Sequence, residues 1–334
     1  MERFSRMNAR ENALRIIHFD NPERIVQLPP GSLICYFGCN HEGFEGGGHD
    51  LPVGSRWTDI WGTGWYKELD GCMAFPREYP LADTSRLRTY RWPDPDDERL
   101  CGVIYRKANE ATTEDGFLIG SHRDTLWEKS YMLVGMENMM MAFQQEPEFA
   151  KEILHRIMNF QMSIANHYLN VGVEIVLLGD DLGTQIGPLV SPWIVEEFFL
   201  PEYRRLIDLY KKHNVIISFH SCGKIEWAIP FFLDLGVDLL NPVQASANDL
   251  DKVRELTDRR IALQGGVSTK TIMEGPPERI AAEVRCRIWQ LGRNGGYFCG
   301  PDQGLPFPPA HIAALNDAIS KYGEYPIQNW NTDN

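Results

Sequence analysis

Positive charge, long apolar runs and phosphate-binding motifs are all scarce in this sequence of 334 residues. Lysine and arginine number 33 against 46 aspartates and glutamates, which gives a formal net charge of −13. Because nucleic-acid binding needs clustered basic side chains, this balance argues against a nucleic-acid partner. No apolar stretch approaches the roughly 18 residues that suggest a transmembrane helix, so we expect no membrane segment. No GK[ST] motif occurs, and neither WGTGW nor FEGGGHD precedes a helical pattern, so no nucleotide phosphate loop is predicted.

The seven cysteines are scattered and odd in number, which is not the pattern of a secreted disulfide framework. The first ten residues, MERFSRMNAR, are charged and lack the apolar core of a secretory signal. We therefore expect a cytoplasmic protein whose cysteines are reduced or bound to metal.

From residue 116 onward, short apolar strands alternate with amphipathic helices, a pattern that indicates a parallel sheet. With a first strand at 33–37 and a weak one at 64–69, about eight strands are predicted. We interpret 1–334 as one domain of the α/β class, a (β/α)8 TIM barrel in which 38–115 is an irregular cap or loop insertion. A doubly wound sheet is the alternative. Predicted strands from 116 are 116–121, 173–178, 215–221, 238–243, 261–264 and 296–299. Predicted helices are one within 1–20, then 126–143, 147–169, one starting at 191–192 with a kink at Pro201, 224–234, 249–256, 277–291 and 309–321.

Polar side chains follow the predicted strands at their carboxyl ends, where a barrel carries its active face. They are His122, Asp180, Asp181, His220, Cys222, Asn241, Gln244, Gln264 and Cys299.

The stretch VIISFHSCG places a histidine and a cysteine two residues apart at a strand end. Side chains alternate along a strand, so His220 and Cys222 face the same way. Cys299 ends another short apolar strand and is the candidate third ligand. One imidazole and two thiolates suit zinc, and three protein ligands leave a fourth position open for catalysis. The alternative is a buried histidine and two core cysteines.

Further candidates surround this constellation. Asp180 and Asp181 could supply a proton, a substrate contact or a fourth zinc ligand, but adjacent residues point to opposite faces, so only one is expected at the site. The other reading is that one of them caps the following turn. Amides at strand ends suit fixed hydrogen bonds to substrate, and His122 or Arg123 could hold an anionic group, although a solvated loop pair is the alternative. The candidate substrate-binding residues are His122, Arg123, Gln185, Asn241, Gln244 and Gln264. Cys35, Cys39, His41 and His49 have no spacing that supports a second metal site.

The chain from about 173 to its end resembles the uroporphyrinogen decarboxylase superfamily. The matching stretches are GDDLGTQIGPLVSPWIVEEFFLPEYRRLID, FHSCGKI, GVDLLNPVQ, ALQGGV and GGYFCGPDQGLPFPP. The resemblance implies an eight-stranded α/β barrel. True uroporphyrinogen decarboxylases carry an arginine-rich first strand, where this chain reads ICYFGCNHEGFEGG, and a histidine where it has Asp302-Gln303-Gly304. The chain is therefore less similar to the decarboxylases themselves.

His–x–Cys followed by a distant cysteine is similar to the zinc pattern of the corrinoid-dependent methyltransferases of that superfamily, among them coenzyme M methyltransferases and O-demethylating methyltransferases. Carried over by position, the resemblance implies a zinc ion on His220, Cys222 and Cys299. It also implies a corrinoid (cobalamin) carried by a partner protein, and a small molecule that gives or accepts the methyl group. GDDLGTQ looks more like the methoxyl-demethylating branch. A uroporphyrinogen decarboxylase-like decarboxylase and a non-catalytic corrinoid-binding barrel remain alternatives.

Overall fold

The computed structural model describes residues 7–40, 51–70, 73–111 and 114–329. Its strands are β1 Gly31–Ile34, β2 Arg56–Thr58, β3 Gly64–Tyr66, β4 Phe75–Glu78, β5 Phe117–Ser121, β6 Ile175–Gly179, β7 Ile216–His220, β8 Leu239–Val243, β9 Ala262–Val267 and β10 Tyr297–Pro301. Its α-helices are α1 Ala9–Ile17, α2 Glu98–Glu110, α3 Trp127–Val134, α4 Met136–Gln145, α5 Pro147–Asn170, α6 Pro192–Ile194, α7 Leu200–Lys212, α8 Ile229–Leu235, α9 Leu250–Thr257, α10 Thr269–Glu274, α11 Pro277–Arg287 and α12 Pro309–Tyr322. No helix within these ranges is long and apolar enough to cross a membrane.

Seven strands form one parallel sheet in the order β1-β5-β6-β7-β8-β9-β10. Helical segments connect successive strands, as parallel neighbours require. The predicted α/β class is confirmed. The carboxyl ends of all seven strands therefore lie along one edge of the sheet, and His122, Asp180, Asp181, His220 and Cys222 lie at this edge.

The sheet curls around a small apolar cluster, which we call the inner cluster. Six consecutive strands each contribute one buried side chain to it, and α1 contributes three more. Its buried members are Ala13, Ile16, Ile17, Phe117, Ile175, Ile216, Leu239, Ala262 and Phe298. Because α1 packs among the first residues of the strands, it covers the concave face at their amino ends, opposite the edge that carries the polar residues.

The two outer strands, β1 and β10, are not paired with each other in the described part of the chain. The backbone just before β1 makes one hydrogen bond to β10, at Val26, and one to β5, at Pro30. The Val26 carbonyl accepts the Cys299 N–H at 2.9 Å, and the Pro30 carbonyl accepts the Phe117 N–H at 2.9 Å. The predicted strand at 64–69 is not part of this sheet: β3 forms a separate antiparallel sheet with β2 and β4.

The larger core fills the layer between the sheet and its helices. In α5 the buried positions recur at helical spacing, as the apolar pattern predicted. The single helix predicted at 126–143 is two helices, because Gly135 adopts a φ of +91° and separates α3 from α4. The irregularity predicted at Pro201 is a π-helical turn at Val195–Phe199, immediately before α7. A proline lacks the N–H that would continue the α-helical ladder, which explains a break at this point.

The sequence predicted that the segment 38–115 is irregular, but part of this segment is regular. It contains β2, β3, β4 and α2. Asp97 caps α2 by accepting the Arg99 N–H, and only Leu100, Cys101 and Ile104 are buried. So small an apolar face, on an otherwise polar helix, gives a weak periodic signal.

Candidate metal centre

Three potential metal ligands lie together at the carboxyl ends of β6 and β7. Ligand atoms of Asp181, His220 and Cys222 all fall within 4.8 Å of one another. His220 Nε2 is 3.4 Å from Cys222 Sγ and 3.7 Å from Asp181 Oδ1. The Cys222 N–H also donates to Asp181 Oδ1 at 2.8 Å, which fixes the two loops against each other.

Two glycines allow this approach. A Cβ on Gly223, whose φ is +82°, would lie 2.4 Å from the carbonyl carbon of Gly183, and a Cβ on Gly183 would lie 2.9 Å from the Cys222 carbonyl oxygen. The Lys224 N–H donates to the Thr184 carbonyl at 2.7 Å beside this contact. We call this backbone contact between Gly183 and Gly223 the glycine contact. It brings the loop after β6, with Asp181, onto the loop after β7, with Cys222.

A hydrogen bond to Asn241 orients the His220 ring. Its Nδ1 lies 3.0 Å from Asn241 Oδ1, and Asn241 Nδ2 donates to Ser218 Oγ at 3.0 Å. A carbonyl oxygen only accepts, so Nδ1 carries the proton and Nε2 presents its lone pair toward Cys222 and Asp181. A partner that fixes the tautomer in this way is typical of metal-binding histidines.

Burial, and after it the negative charge of Asp181, raises the pKa of the Cys222 thiol well above its usual range. A thiol, a carboxylate and an imidazole lone pair converge with no positive charge among them. A divalent cation would reverse this electrostatic balance and favour the thiolate. Gln303 is also close, with Nε2 at 4.0 Å from Cys222 Sγ.

The spacing of the three groups fits zinc. Zn–S and Zn–N bonds of about 2.3 and 2.0 Å in a tetrahedron put neighbouring ligand atoms roughly 3.5 Å apart. The observed separations of 3.4 and 3.7 Å lie close to that value. The donor set of nitrogen, sulfur and oxygen also suits zinc, and three protein ligands leave one coordination position for another molecule.

Cys299, the predicted third ligand, is not brought to this group. Its neighbour Phe298 points into the inner cluster, so Cys299 points the other way, into the larger core, where it is fully buried. Burial raises the pKa of its thiol to about 12. In the described part of the chain, the ligand set that the geometry assembles contains Asp181 in place of Cys299.

Asp180 and Asp181 do point to opposite faces. Asp180 is fully buried and accepts the N–H groups of Leu126 and Glu128 at 2.8 and 2.7 Å, together with the Tyr203 hydroxyl. Burial raises the pKa of Asp180 to about 7. It therefore caps the start of α3 and does not face the metal group, which corrects its expected catalytic role.

His122 and Arg123 also differ in their accessibility to a substrate. His122 is fully buried, with Nδ1 at 2.7 Å from Gln161 Oε1 and Nε2 at 2.5 Å from the Tyr210 hydroxyl, so it cannot meet a substrate. Arg123 is half-exposed just after β5, where its Nε lies 3.8 Å from Asp124 Oδ1 and another guanidinium nitrogen lies 2.6 Å from Met73 Sδ. Of the two, the structure leaves Arg123 accessible to an anion.

The four amides occupy different positions. Asn241 holds His220, as described above. Gln244 is buried, and its Oε1 accepts the Gly223 N–H at 2.7 Å and lies 3.5 Å from Nε2 of the exposed Gln185. Both therefore brace the loop that carries Cys222. Gln264 is partly exposed and lies two residues after Ala262, on the concave face.

Neither Glu128 nor Gln303 was predicted as a site residue. Glu128 follows a strand by seven residues and lies on the first turn of α3, and a single glutamate on a helix is usually a surface residue. The segment after β1 contains Cys39, His41 and His49. Cys39 is buried, with its Sγ 3.4 Å from the Ser121 carbonyl oxygen, and the two histidines lie outside the described residues.

Comparison with known families and structures gives one family match. The family model for uroporphyrinogen decarboxylase (URO-D) matches residues 79–322. A solved methyltransferase from Methanosarcina mazei superposes with a TM-score of 0.69 at 14% identity, over 95% of this chain and 99% of that one. A B12-independent methionine synthase from Shewanella sp. W3-18-1 gives a TM-score of 0.43 at 10% identity, over 75% of this chain and 67% of that one. Comparison with curated proteins finds no match.

Proposed function

Because the chain belongs to the uroporphyrinogen decarboxylase family, we propose that it is a zinc-dependent methyltransferase that transfers a methyl group between a small substrate and a corrinoid protein. The methyltransferase from Methanosarcina mazei, which shares the fold over nearly its whole length, is consistent with this choice within the family. The single observation that carries the proposal is the convergence of Asp181, His220 and Cys222 at the carboxyl edge of the sheet.

In the proposed site, Asp181, His220 and Cys222 hold the zinc ion. When bound, the ion supplies a Lewis acid for an ether oxygen, or a way to favour the thiolate of a thiol substrate. Asn241 keeps the His220 lone pair directed at the site, and the Cys222 N–H restrains Asp181. Arg123, exposed nearby, offers a positive charge to a substrate carboxylate.

We favour a methyl ether as donor and the reduced corrinoid of a partner protein as acceptor. The partner must bring its cobalt to the substrate, so it docks at the edge where the strands end. We propose that the backbone before β1 completes a barrel, and this is supported by the hydrogen bond from the Cys299 N–H of β10 to the Val26 carbonyl.

Metal analysis of ligand variants tests the site. We expect about one zinc per chain in the purified protein, lost in Asp181→Asn and Cys222→Ser because each removes one of three ligands. Cys299→Ser is the matched control, since Cys299 is buried on the opposite face of its strand. Loss of zinc from Cys299→Ser but not from Asp181→Asn would contradict the ligand set.

An activity screen tests the reaction. Methoxylated and methylated compounds are offered together with cob(I)alamin, and the change in visible absorbance reports methylcobalamin. Transfer that depends on zinc supports the proposal. Full activity of metal-free protein, or release of carbon dioxide from uroporphyrinogen unaffected by Cys222→Ser, would exclude it.

A further inference from the structure

Leu33 is a large apolar side chain that lies half-exposed on the concave face of the sheet. The next residue, Ile34, is buried in the larger core, so Leu33 points the other way, toward the concave side of β1. There it is 53% exposed. In the parallel pairing of β1 with β5 it lies beside Ile119, which packs against the inner cluster. Leu33 therefore shares a face with the inner cluster but is not covered by it.

Two neighbouring strands continue this apolar surface. Ile119 of β5 is partly exposed, and so is Leu177 of β6, which lies two residues after the inner-cluster member Ile175 and faces the same way. A single exposed leucine would need no explanation, because isolated apolar side chains are common on protein surfaces. Three on adjacent strands of one concave face are the kind of patch that marks a ligand site. We call Leu33, Ile119 and Leu177 the apolar wall.

The other half of the concave face is polar. His220, Asn241 and Gln264 lie on β7, β8 and β9, each an even number of residues after the member that its strand contributes to the inner cluster. The His220 side chain is 43% exposed. The concave face thus combines an apolar half with a few polar groups beside it, which is the usual composition of a small-molecule site.

Gly179 lies between the apolar wall and His220. It is the next concave position of β6 after Leu177, and it pairs directly with His220 in the sheet. A Cβ on Gly179 would lie 3.8 Å from His220 Cβ, and glycine leaves this position free of a side chain. A molecule that rests on the apolar wall can therefore extend past Gly179 to the metal group.

We propose that Leu33 is a specificity-determining residue of the methyl transfer, an inference that rests on the proposed function. The apolar wall receives the hydrocarbon body of the substrate, and the methoxyl group extends past Gly179 toward His220. The chemical class that fits is a methyl ether with an apolar body. A methyl glycoside, whose body carries hydroxyl groups on every side, would lose hydration against the wall without gaining hydrogen bonds.

Binding without turnover tests the wall. Unbranched methyl alkyl ethers from methoxyethane to methoxyhexane are titrated into the zinc-loaded protein, and ligand-observed NMR measures the Kd. Each added methylene group should tighten binding to wild type about fourfold, the value expected for a buried methylene. In Leu33→Thr, which keeps a side chain suited to a strand, the gain should fall to about twofold because part of the apolar surface is lost.

A wild-type protein that binds none of these ethers, or binds them with a Kd independent of chain length, would overturn the role of Leu33. So would an unchanged gain per methylene in Leu33→Thr. Met141→Gln is the matched control, because Met141 is 43% exposed on α4, a helix that packs against α3 and α5. It should keep the wild-type gain. Metal analysis and circular dichroism should show that both variants bind zinc and fold as wild type does, since neither side chain is a ligand or buried.

Leu33→Trp tests the same position by size. The larger side chain should occupy the space beside the wall, so the Kd of methoxyhexane should rise by about 10-fold or more and that of methoxyethane much less. An equal rise for the two ethers contradicts the proposed contact. Methyl transfer to cob(I)alamin is measured separately. A wild type that binds the ethers with the expected gain but transfers no methyl group overturns the proposed function alone. A wild type that transfers methyl groups but shows no dependence of Kd on chain length overturns the role of Leu33 alone.

Discussion

His122 illustrates at the scale of one residue how a polar side chain after a strand can serve the fold. It is fully buried, and burial lowers the pKa of its imidazole to about 4. The unfolded chain, with a histidine pKa near 6.5, binds a proton more readily than the folded one. Protonation of His122 therefore favours the unfolded chain, and this penalty grows as the pH falls from 6.5 toward 4.

We predict that the free energy of unfolding falls as the pH falls from 6.5 toward 4, with His122 contributing about 3 kcal/mol of the loss by pH 4. Chemical denaturation at a series of pH values measures it. The variant His122→Gln should lack this part of the pH dependence, whereas a variant of the exposed His213, His213→Gln, should keep it. The same pH profile in wild type and His122→Gln would contradict the prediction.

Single residues also show what sequence can and cannot predict about the site. His220 and Cys222 could be paired because alternation along one strand is a local property. The same alternation places Phe298 and Cys299 on opposite faces of β10. Which of the two lies on the concave face depends on how the whole sheet curls, and this is not a local property of the sequence. Asp181 could be distinguished from Asp180 only once the position of α3 was known.

At the scale of elements, the site depends on how two loops pack. The loops after β6 and β7 meet at the glycine contact, and each carries ligands from its own strand end. The regular elements around them were predictable, since a proline and apolar periodicity mark α5, and short apolar runs mark β6 and β7. The break at Gly135 was not predicted, because a glycine inside an apolar helical pattern does not reveal its φ of +91°.

We predict that Gly223→Ala weakens zinc binding and lowers the free energy of unfolding by roughly 1–3 kcal/mol or more. A methyl group there lies 2.4 Å from Gly183 in a backbone conformation that alanine rarely adopts. Competition with a chromophoric chelator and thermal denaturation measure the two effects. Gly187→Ala, in the loop after β6 but with nothing within 4 Å of its added Cβ, should behave as wild type. If both variants bind zinc equally well, the glycine contact does not set the site.

At the scale of the whole molecule, the segment before β5 attaches to the sheet and its helices through Trp61. This side chain is almost fully buried, packs edge-on against Phe160 of α5 at 4.6 Å between centroids, and has Lys129 Nζ at 5.4 Å from its ring centroid. The parallel sheet could be predicted from strand–helix alternation. The antiparallel sheet β2–β4 did not, because three strands of three or four residues carry little pattern.

We predict that Trp61→Ala destabilises the protein by about 3–5 kcal/mol, the usual cost of emptying a large buried aromatic site. Denaturant titration followed by circular dichroism measures it. Trp193→Ala is the control, since Trp193 is 39% exposed and should shift the midpoint much less. Equal midpoints for the two variants would show that the segment around Trp61 contributes little to stability.

Asp180 and Asp181 are joined by one peptide unit, yet the first holds the start of α3 and the second belongs to the ligand group. A displacement of α3 therefore rotates that peptide and shifts a ligand oxygen. A molecule that displaces α3 would therefore move Asp181 relative to His220 and Cys222 through this single backbone link.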